Sequence, residues 1–248
     1  KLGDKVKMLN DFAREANSLC LTLITAIAAF IPLVTFFAMA ALITNLGVDS
    51  IILLGKLLGC YLTGDMLMVC VYSSMLLIIG KISPVPLLKK LPSFIPIPFA
   101  TSSSNVTMPF TMKFCTEKLG ISPKISSFSI PIGATVNMDG TAIFQSTTCI
   151  MLLKMYGVEI DSGAIFTLLF AIFTTSVGTP GVPGGGIILL AAILGMFNVP
   201  AEAVGIILGI SPIEGRLNTT TNVVGDIGAS TILAKTENLL DTSIYAKM

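Results

Sequence analysis

The 248-residue chain has no histidine, and only 12% of its residues are charged. Without histidine it lacks the commonest metal ligand and the side chain that ordinarily switches charge near neutral pH. Soluble domains carry roughly 25% charged residues. Half that share, set against 53% apolar residues and a mean hydropathy of +0.89, assigns the chain to lipid. A net charge of +1 offers no basic footprint for a nucleic-acid partner. The five cysteines, at positions 20, 60, 70, 115 and 149, are odd in number and have no CxxC spacing. Most sit in apolar runs, so they read as small lipid- or core-facing residues rather than as a disulfide or metal set. No direct repeat of 20–50 residues is visible. The chain opens on a charged stretch, residues 1–15, instead of a signal peptide's apolar run; it reads as a loop entered midway, with further residues expected upstream.

Long apolar runs are what the sequence does have. About 20 apolar residues cross a hydrocarbon core as a helix. Residues 16–48 are free of formal charge and predict one span, from about Leu19 to Ile43. Residues 51–80 predict a second, carrying Lys56 near its start and Asp65 near its middle. A third apolar region, 126–153, contains Asn137-Met138-Asp139-Gly140-Thr141. A fourth, about 203–234, contains Asn222-Val223-Val224-Gly225-Asp226. Two further regions are apolar but punctuated. Residues 91–112 hold Pro92, Pro96, Pro98, Ser102, Ser103, Ser104, Asn105 and Pro109, and residues 162–201 hold the run from Gly178 to Gly186. Irregular backbone of this kind survives at membrane depth only inside protein or beside a water-filled cavity.

Basic residues set the threading. If 91–112 and 162–201 are re-entrant hairpins, twelve of the fifteen basic residues fall on one side: Lys1, Lys5, Lys7, Arg14, Lys81, Lys89, Lys90, Lys113, Lys118, Lys124, Lys235 and Lys247. Lys56 and Lys154 lie on the other side, and Arg216 lies within a span. The positive-inside bias then favours four spans plus two re-entrant hairpins, with the basic side cytoplasmic. The expected fold is an all-α membrane protein of transmembrane helices, two re-entrant helical hairpins and broken helices.

Asp139 and Asp226 fall inside apolar segments, where a carboxylate is costly and is paired or functional. Thr219, Asn222 and Asp226 share one helix face by spacing, and Asn137 and Thr141 flank Asp139. The donors on offer are all oxygens: carboxylates, amide carbonyls, hydroxyls, and main-chain carbonyls expected to be freed near Gly140 and Gly225. Such a set suits a hard cation, and one carboxylate per segment among neutral oxygens fits Na+ better than Ca2+; a proton-coupled role for either aspartate stays open. The Gly178–Gly186 run lacks the Gly-Lys-Ser/Thr of a phosphate loop and reads as a gate over a site. Glu214 and Arg216, two positions apart, point to different helix faces.

Together, Ser102-Ser103-Ser104, Asn137-Met138-Asp139-Gly140-Thr141, Gly181-Val182-Pro183-Gly184 and Asn222-Val223-Val224-Gly225-Asp226 resemble the dicarboxylate/amino acid:cation symporter family, the glutamate transporters and their homologues. The resemblance covers the second half of that family's fold. It implies an elevator transporter, homotrimeric in a lipid bilayer, with residues 1–48 as a scaffold segment and 49–248 as a transport domain. By position it places one Na+ site on Gly133, Asn137, Asn222 and Asp226. A second falls on main-chain oxygens of Thr135, Ser176, Val177 and Thr179, and a third on Asn137 and Asp139. Solute contacts would come from Ser104, Thr141, Val182, Gly186, Asn218, Thr219 and Asn222.

The sequence departs from the family where the solute's charge is read. The family's acidic-amino-acid carriers have an arginine four residues before Asn222 and an aspartate seven before it; here those positions are Asn218 and Gly215. An amide does not replace a bidentate guanidinium, so Asn218 suggests a neutral, hydrogen-bonding solute such as a small polar amino acid. Glu214 or Arg216 is positioned to substitute if the helix shifts locally at Pro212. The expected function is Na+-coupled uptake of a small organic solute, a neutral amino acid, with no enzymatic activity and no organic cofactor. The alternatives are an acidic amino acid or dicarboxylate symporter with a rearranged site and, remotely, an intramembrane aspartyl protease, whose Tyr-Asp and Gly-x-Gly-Asp contexts are missing around Asp139 and Asp226.

Overall fold

The computed structural model describes residues 7–247. Lys1 and Lys5 lie outside the described residues, as do the side chains of Arg14 and Cys20. The described residues are helical save for one isolated bridge between Ile121 and Leu240. In chain order the helices are α1 (Lys7–Ala28), α2 (Ile31–Leu46), α3 (Asp49–Ile78), α4 (Val85–Lys90), α5 (Pro96–Thr101), α6 (Ser104–Glu117), α7 (Pro123–Val136), α8 (Asp139–Met155), α9 (Ser162–Gly178), α10 (Gly185–Gly195), α11 (Ser211–Thr236) and α12 (Thr242–Ala246), with 3-10 turns at Leu91–Ser93 and Ala201–Ile207.

Several breaks differ from the sequence expectation. The single span expected over 19–43 is two helices, because Pro32 sits in the first turn of α2 and ends the run at Ala29-Phe30. The expected loop over 81–90 contains helix α4, and α6 runs on past Lys113 to Glu117. In the third apolar region the break falls at Asn137-Met138, just before Gly140. The fourth is a correction: α11 runs unbroken through Asn222 and Asp226, and the irregular backbone lies earlier, at 201–210. Gly225 therefore frees no carbonyl. It lets α11 approach its neighbours, since a Cβ there would lie 2.5 Å from both Asn137 Nδ2 and Tyr72 Oη.

α5 and α6 form one helical pair, turning at Ser102 with left-handed backbone (φ 49°). α9 and α10 form another, turning through Thr179–Gly184. The two turns meet. Ser103 Oγ donates to Gly181 O at 2.7 Å, and Asn105 N donates to the same carbonyl at 3.3 Å. α11 runs past this junction and packs on α3, α5, α6, α7 and α8.

The polarity is inverted relative to a soluble domain. Thr107, Thr141, Gln145, Asn222, Asp226 and Thr231 are buried, whereas Phe166, Leu169, Phe170 and Phe173 line an exposed face of α9. Apolar surface of that extent needs a partner, and lipid supplies one. By length and composition, one helix among the described residues, α3, is long and apolar enough to cross a membrane unaided. Its share buried against other helices is small, which fits a lipid-facing helix better than a soluble core helix.

Two hydrophobic clusters hold the helices together, one around Leu152, Leu190 and Leu194, the other around Leu76, Leu119 and Ile227. At one end, the 118–124 segment, α4 and the C-terminal segment are tied by Lys90. Its Nζ donates to the carbonyls of Lys118, Ile244 and Tyr245, each at 2.8 Å. Burial and neighbouring Lys118 hold the Lys90 ammonium below its usual range. Asp241 caps α12, its carboxyl lowered by the Ser243 hydroxyl and by the backbone N–H groups of Ile244 and Ser243.

Candidate functional site

Beneath the junction of the two helical turns lies a cleft of about 370 Å³, part of it open to the surroundings. Ser104, Thr141, Val182, Gly186, Asn218, Thr219 and Asn222, the seven residues expected to face a solute, all line it. Three helix N-termini border it as well. Ser104 is the first residue of α6, Thr141 the third of α8, and Gly185 and Gly186 the first two of α10. Helix N-termini carry partial positive charge and favour an anionic group, but here the N–H groups of Asn105, Gly140 and Gly185 already bond to Gly181 O, Asn222 Oδ1 and Val182 O. No lysine or arginine lines the cleft; Glu214 is its one charged side chain.

A hydrogen-bonded chain runs along one wall. Glu214 Oε1 accepts from Asn218 Nδ2 at 3.1 Å, and Asn218 Oδ1 accepts from both Thr141 Oγ1 and Asn222 Nδ2 at 3.0 Å. Asn222 Oδ1 in turn accepts from Gly140 N at 2.7 Å. Both ends of the Asn218 amide are thus engaged within the protein, one N–H on Glu214 and the oxygen on Thr141 and Asn222, and position 215, glycine here, lines the cleft without a side chain.

Asn222 also joins the cleft to the oxygen cluster behind it. Asn137 Nδ2 donates to Asn222 O at 3.1 Å and to Asp226 Oδ1 at 3.0 Å. A Cβ on Gly133 would lie 2.2 Å from Asp226 Oδ1, so the carboxylate rests directly on the α7 backbone. Gly133, Asn137, Asn222 and Asp226 are therefore brought together, as the sequence leads one to expect. Their chemistry fits a monovalent hard cation: one carboxylate, two amides and main-chain carbonyls near the helix break at Asn137. With the amide as placed, Asn137 presents its NH2 to these oxygens. A cation taken up there requires its carbonyl oxygen instead, a turn about one side-chain bond.

The remaining expected cation ligands are placed less tightly. α7 packs on α9, and a Cβ on Gly181 in the turn after α9 would lie 2.9 Å from Ala134 O, next to the exposed Thr135. Ser176 and Thr179 are buried there, and Ser176 O already accepts from Thr179 N at 3.1 Å, while Val177 is largely exposed. Asp139 opens α8 and accepts from Tyr72 Oη at 2.5 Å.

Tyr72 is one of three partners outside the residues expected to bind cation or solute, although Asp65 was noted as a charge within its span. Asp65 of α3 is the second, accepting from Thr221 Oγ1 at 2.8 Å. The third is Gln145, fully buried, which accepts from Thr175 Oγ1 at 3.0 Å and donates to Gly186 O at 3.4 Å, tying α8 to both arms of the α9–α10 pair. A polar residue inside an apolar run was the available signal for all three. Arg216 points away from the cleft; its guanidinium lies 5.8 Å from the centre of the Phe99 ring.

Comparison with known proteins gives the family. The model of the sodium:dicarboxylate symporter family matches residues 1–236. The chain belongs to this family. It is 34% identical over 238 residues to human neutral amino acid transporter A, covering 94% of this chain and 44% of that protein. It is 33% identical over 229 residues to mouse neutral amino acid transporter B(0), covering 91% and 41% respectively. To human excitatory amino acid transporter 2 it is 28% identical over 250 residues, covering 98% and 43%. The chain spans less than half the length of these relatives. The family, by its description, is one of sodium:dicarboxylate symporters.

Proposed function

We propose that the protein is a Na+-coupled symporter of a small neutral amino acid. The observation that carries this reading is the continuity of the site. The seven residues expected to face a solute surround one cleft, and Asn222 belongs both to that cleft and to the cluster of Asn137 and Asp226. Filling the cluster with Na+ would fix Asn222 and the Asn218 chain attached to it, so cation and solute would stabilise one another's sites. A net negative cluster accepts the ion without demanding a second carboxylate.

The lack of a basic side chain around the cleft favours a solute with no second carboxylate. Two of the relatives above are neutral amino acid transporters by name, which supports the same choice. An acidic amino acid or dicarboxylate remains the competing reading, because the family description names dicarboxylates.

Elevator movement of a transport domain within a homotrimer follows from the family resemblance. The division at about residue 48 is supported by packing: among the described residues, both hydrophobic clusters draw only on side chains from Leu57 onward. In this reading the α5–α6 and α9–α10 pairs are re-entrant hairpins in a multi-pass cell-membrane protein. Lys90, Lys118, Lys124 and the C-terminal segment, gathered at one end of the molecule, face the cytoplasm.

Reconstituting the full-length protein in liposomes with an inward Na+ gradient tests this function. Uptake of L-alanine, L-serine or L-threonine that collapses when Na+ is replaced by K+ or choline is expected. Uptake indifferent to Na+ sinks the coupling, and Na+-driven uptake confined to succinate or L-aspartate favours the competing solute class.

A further inference from the structure

The C-terminal segment lies across the base of the α5–α6 pair. Leu240 bridges to Ile121, Leu239 O accepts from Ser122 N at 3.0 Å, and Asp241 N donates to Gly120 O at 2.8 Å. Tyr245 is buried and donates from Oη to Ser83 O at 2.8 Å. Together with the carbonyls held by Lys90, these bonds gather residues 79–91, 113–124 and 235–247 onto one end of the molecule. Those stretches contain eight lysines against three carboxylates, Glu117, Glu237 and Asp241. Asp241 is spent on its own helix, accepting from Ser243 N, Ser243 Oγ and Ile244 N.

Lys81, Lys118, Lys124 and Lys247 are exposed, and among the described residues none of the four is paired with a carboxylate. Burial first, and then the neighbouring charge of Lys118, disfavour the Lys90 ammonium. The lysines of this end therefore repel one another with little acid to offset them. Apolar side chains are interleaved with them. α4 and α12 pack side by side, turning Leu87 and Tyr245 inward and leaving Val85, Leu88 and Ile244 exposed. Such a surface suits the boundary between lipid headgroups and acyl chains, where apolar residues sink and ammonium groups stay at the charged level. A soluble anion would answer the charge but leave the apolar side chains in water.

We propose that the end of the molecule formed by α4, α12 and the 118–124 segment is a binding surface for anionic phospholipid headgroups. The assignment rests on the reading above that puts this end at the cytoplasmic leaflet, whose surface potential is negative. Lys90 takes no part in the contact itself, because its ammonium already holds three carbonyls. It positions the C-terminal segment, and with it Lys247, beside Lys118. Each lysine close to a charged membrane strengthens the attraction about fivefold, and the effect fades beyond a Debye length.

The test titrates lipids onto the full-length purified protein in a neutral detergent, reading lipid retention by native mass spectrometry and the shift in melting temperature. Phosphatidylglycerol, phosphatidylcholine and water-soluble glycerol 3-phosphate are compared. Phosphatidylglycerol is expected to bind about tenfold or more tightly than phosphatidylcholine, with an advantage that shrinks as salt is raised. Replacing Lys81, Lys118, Lys124 and Lys247 together by glutamine should weaken its binding about twentyfold or more. Replacing the same four by arginine should leave it unchanged, as should Lys56→Gln with Lys154→Gln, which the threading puts on the other side. The lipid-free melting temperature is the control for folding. If the fourfold glutamine variant melts early, Lys124→Gln and Lys247→Gln singly, each expected to weaken binding about fivefold, decide the matter. Equal binding of the two phospholipids overturns the proposal. So does a response to glycerol 3-phosphate as large as that to lipid, or a loss no greater than that of the Lys56 and Lys154 variant. Sidedness is read separately: Lys247→Cys in a cysteine-free background, labelled by an impermeant thiol reagent from outside intact cells, would overturn the cytoplasmic placement and not the lipid preference.

Discussion

Asn137 Nδ2 stands 3.0 Å from Asp226 Oδ1 and 3.1 Å from Asn222 O, closing the break between α7 and α8 against the unbroken face of α11. The Asn137 N–H still closes the last i→i−4 bond of α7 on Gly133 O, and its side-chain amide can turn about its own bond without disturbing either helix. The pairing of a broken and an unbroken helix therefore sets a movable oxygen beside a fixed carboxylate. Asp226→Asn removes the charge while keeping the shape. We predict that it abolishes the Na+-dependent rise in melting temperature and Na+-driven uptake, with at least a tenfold loss of apparent Na+ affinity, equivalent to about 1.4 kcal/mol. An unchanged Na+ titration would remove Asp226 from the site.

Gly133 makes the complementary case from the other wall. A methyl group there would press within 2.2 Å of the Asp226 carboxylate, far inside van der Waals contact. Gly133→Ala should therefore push the carboxylate off α7, at a cost of about 1–3 kcal/mol for overpacking, even though alanine is the better helix former. Denaturation and Na+ titration check it together. A variant more stable than the native protein, with Na+ affinity intact, would mean that α7 and α11 are not held this close.

Much of this site was legible from residue types. A carboxylate or amide inside an apolar run has few bland explanations, and proline or glycine runs mark where helices cannot continue. Asp139, Asp226 and their polar neighbours could be picked out that way, whereas Gly133 and the full set of seven cleft residues came from the family resemblance. The position of each break was less legible. Asn137-Met138 carries no proline or glycine, and its non-helical backbone goes with the tertiary bonds of Asn137. In α11, polar residues suggested a break that the helix does not have, because Asn218 and Asn222 satisfy one another along the helix face. Partners that act across helices, such as Tyr72 with Asp139 or Gln145 with Gly186, leave no spacing signal at all. Glu214 was visible only as an intramembrane charge, and burial against the cleft is what distinguishes it from Arg216.

Tyr72 supplies a prediction of that kind. Its hydroxyl donates to Asp139 Oδ2 at 2.5 Å, and the ring packs in the cluster of Leu76 and Ile227. Tyr72→Phe keeps the packing and deletes the donor. Hydrogen bonds to charged groups are worth about 1.5–3 kcal/mol, so a drop in melting temperature of the purified protein is expected, reversed in part by Na+ if Asp139 lies on a cation path. A melting curve superimposable on the native one would show that Asp139 is satisfied from elsewhere.

The contact between helical turns is open to the same treatment. Ser103 Oγ donates to Gly181 O at 2.7 Å and accepts from Val106 N at 3.3 Å, so one hydroxyl both caps α6 and latches the α9–α10 turn. Ser103→Ala should cost about 1–2 kcal/mol locally. In a cysteine-free background, Val182→Cys should then react faster with a membrane-impermeant thiol reagent, while overall folding is retained. Equal reaction rates would mean that other contacts hold the turns closed.

Asn218 offers the sharpest separation of solute classes. An arginine there alone would sit four residues after Glu214 on the same helix face, and its guanidinium would pair with that carboxylate before any solute arrived. Asn218→Arg by itself is therefore expected to weaken neutral amino acid uptake about tenfold or more and to gain little for acidic solutes. Adding Glu214→Gln frees the guanidinium. The double variant should then take up L-aspartate or succinate in preference to L-alanine, read by competition in the liposome assay. An acidic preference already complete in the single variant would show that Glu214 and position 218 do not meet inside the cleft. Neutral and acidic uptake unchanged in both variants would place position 218 away from the solute.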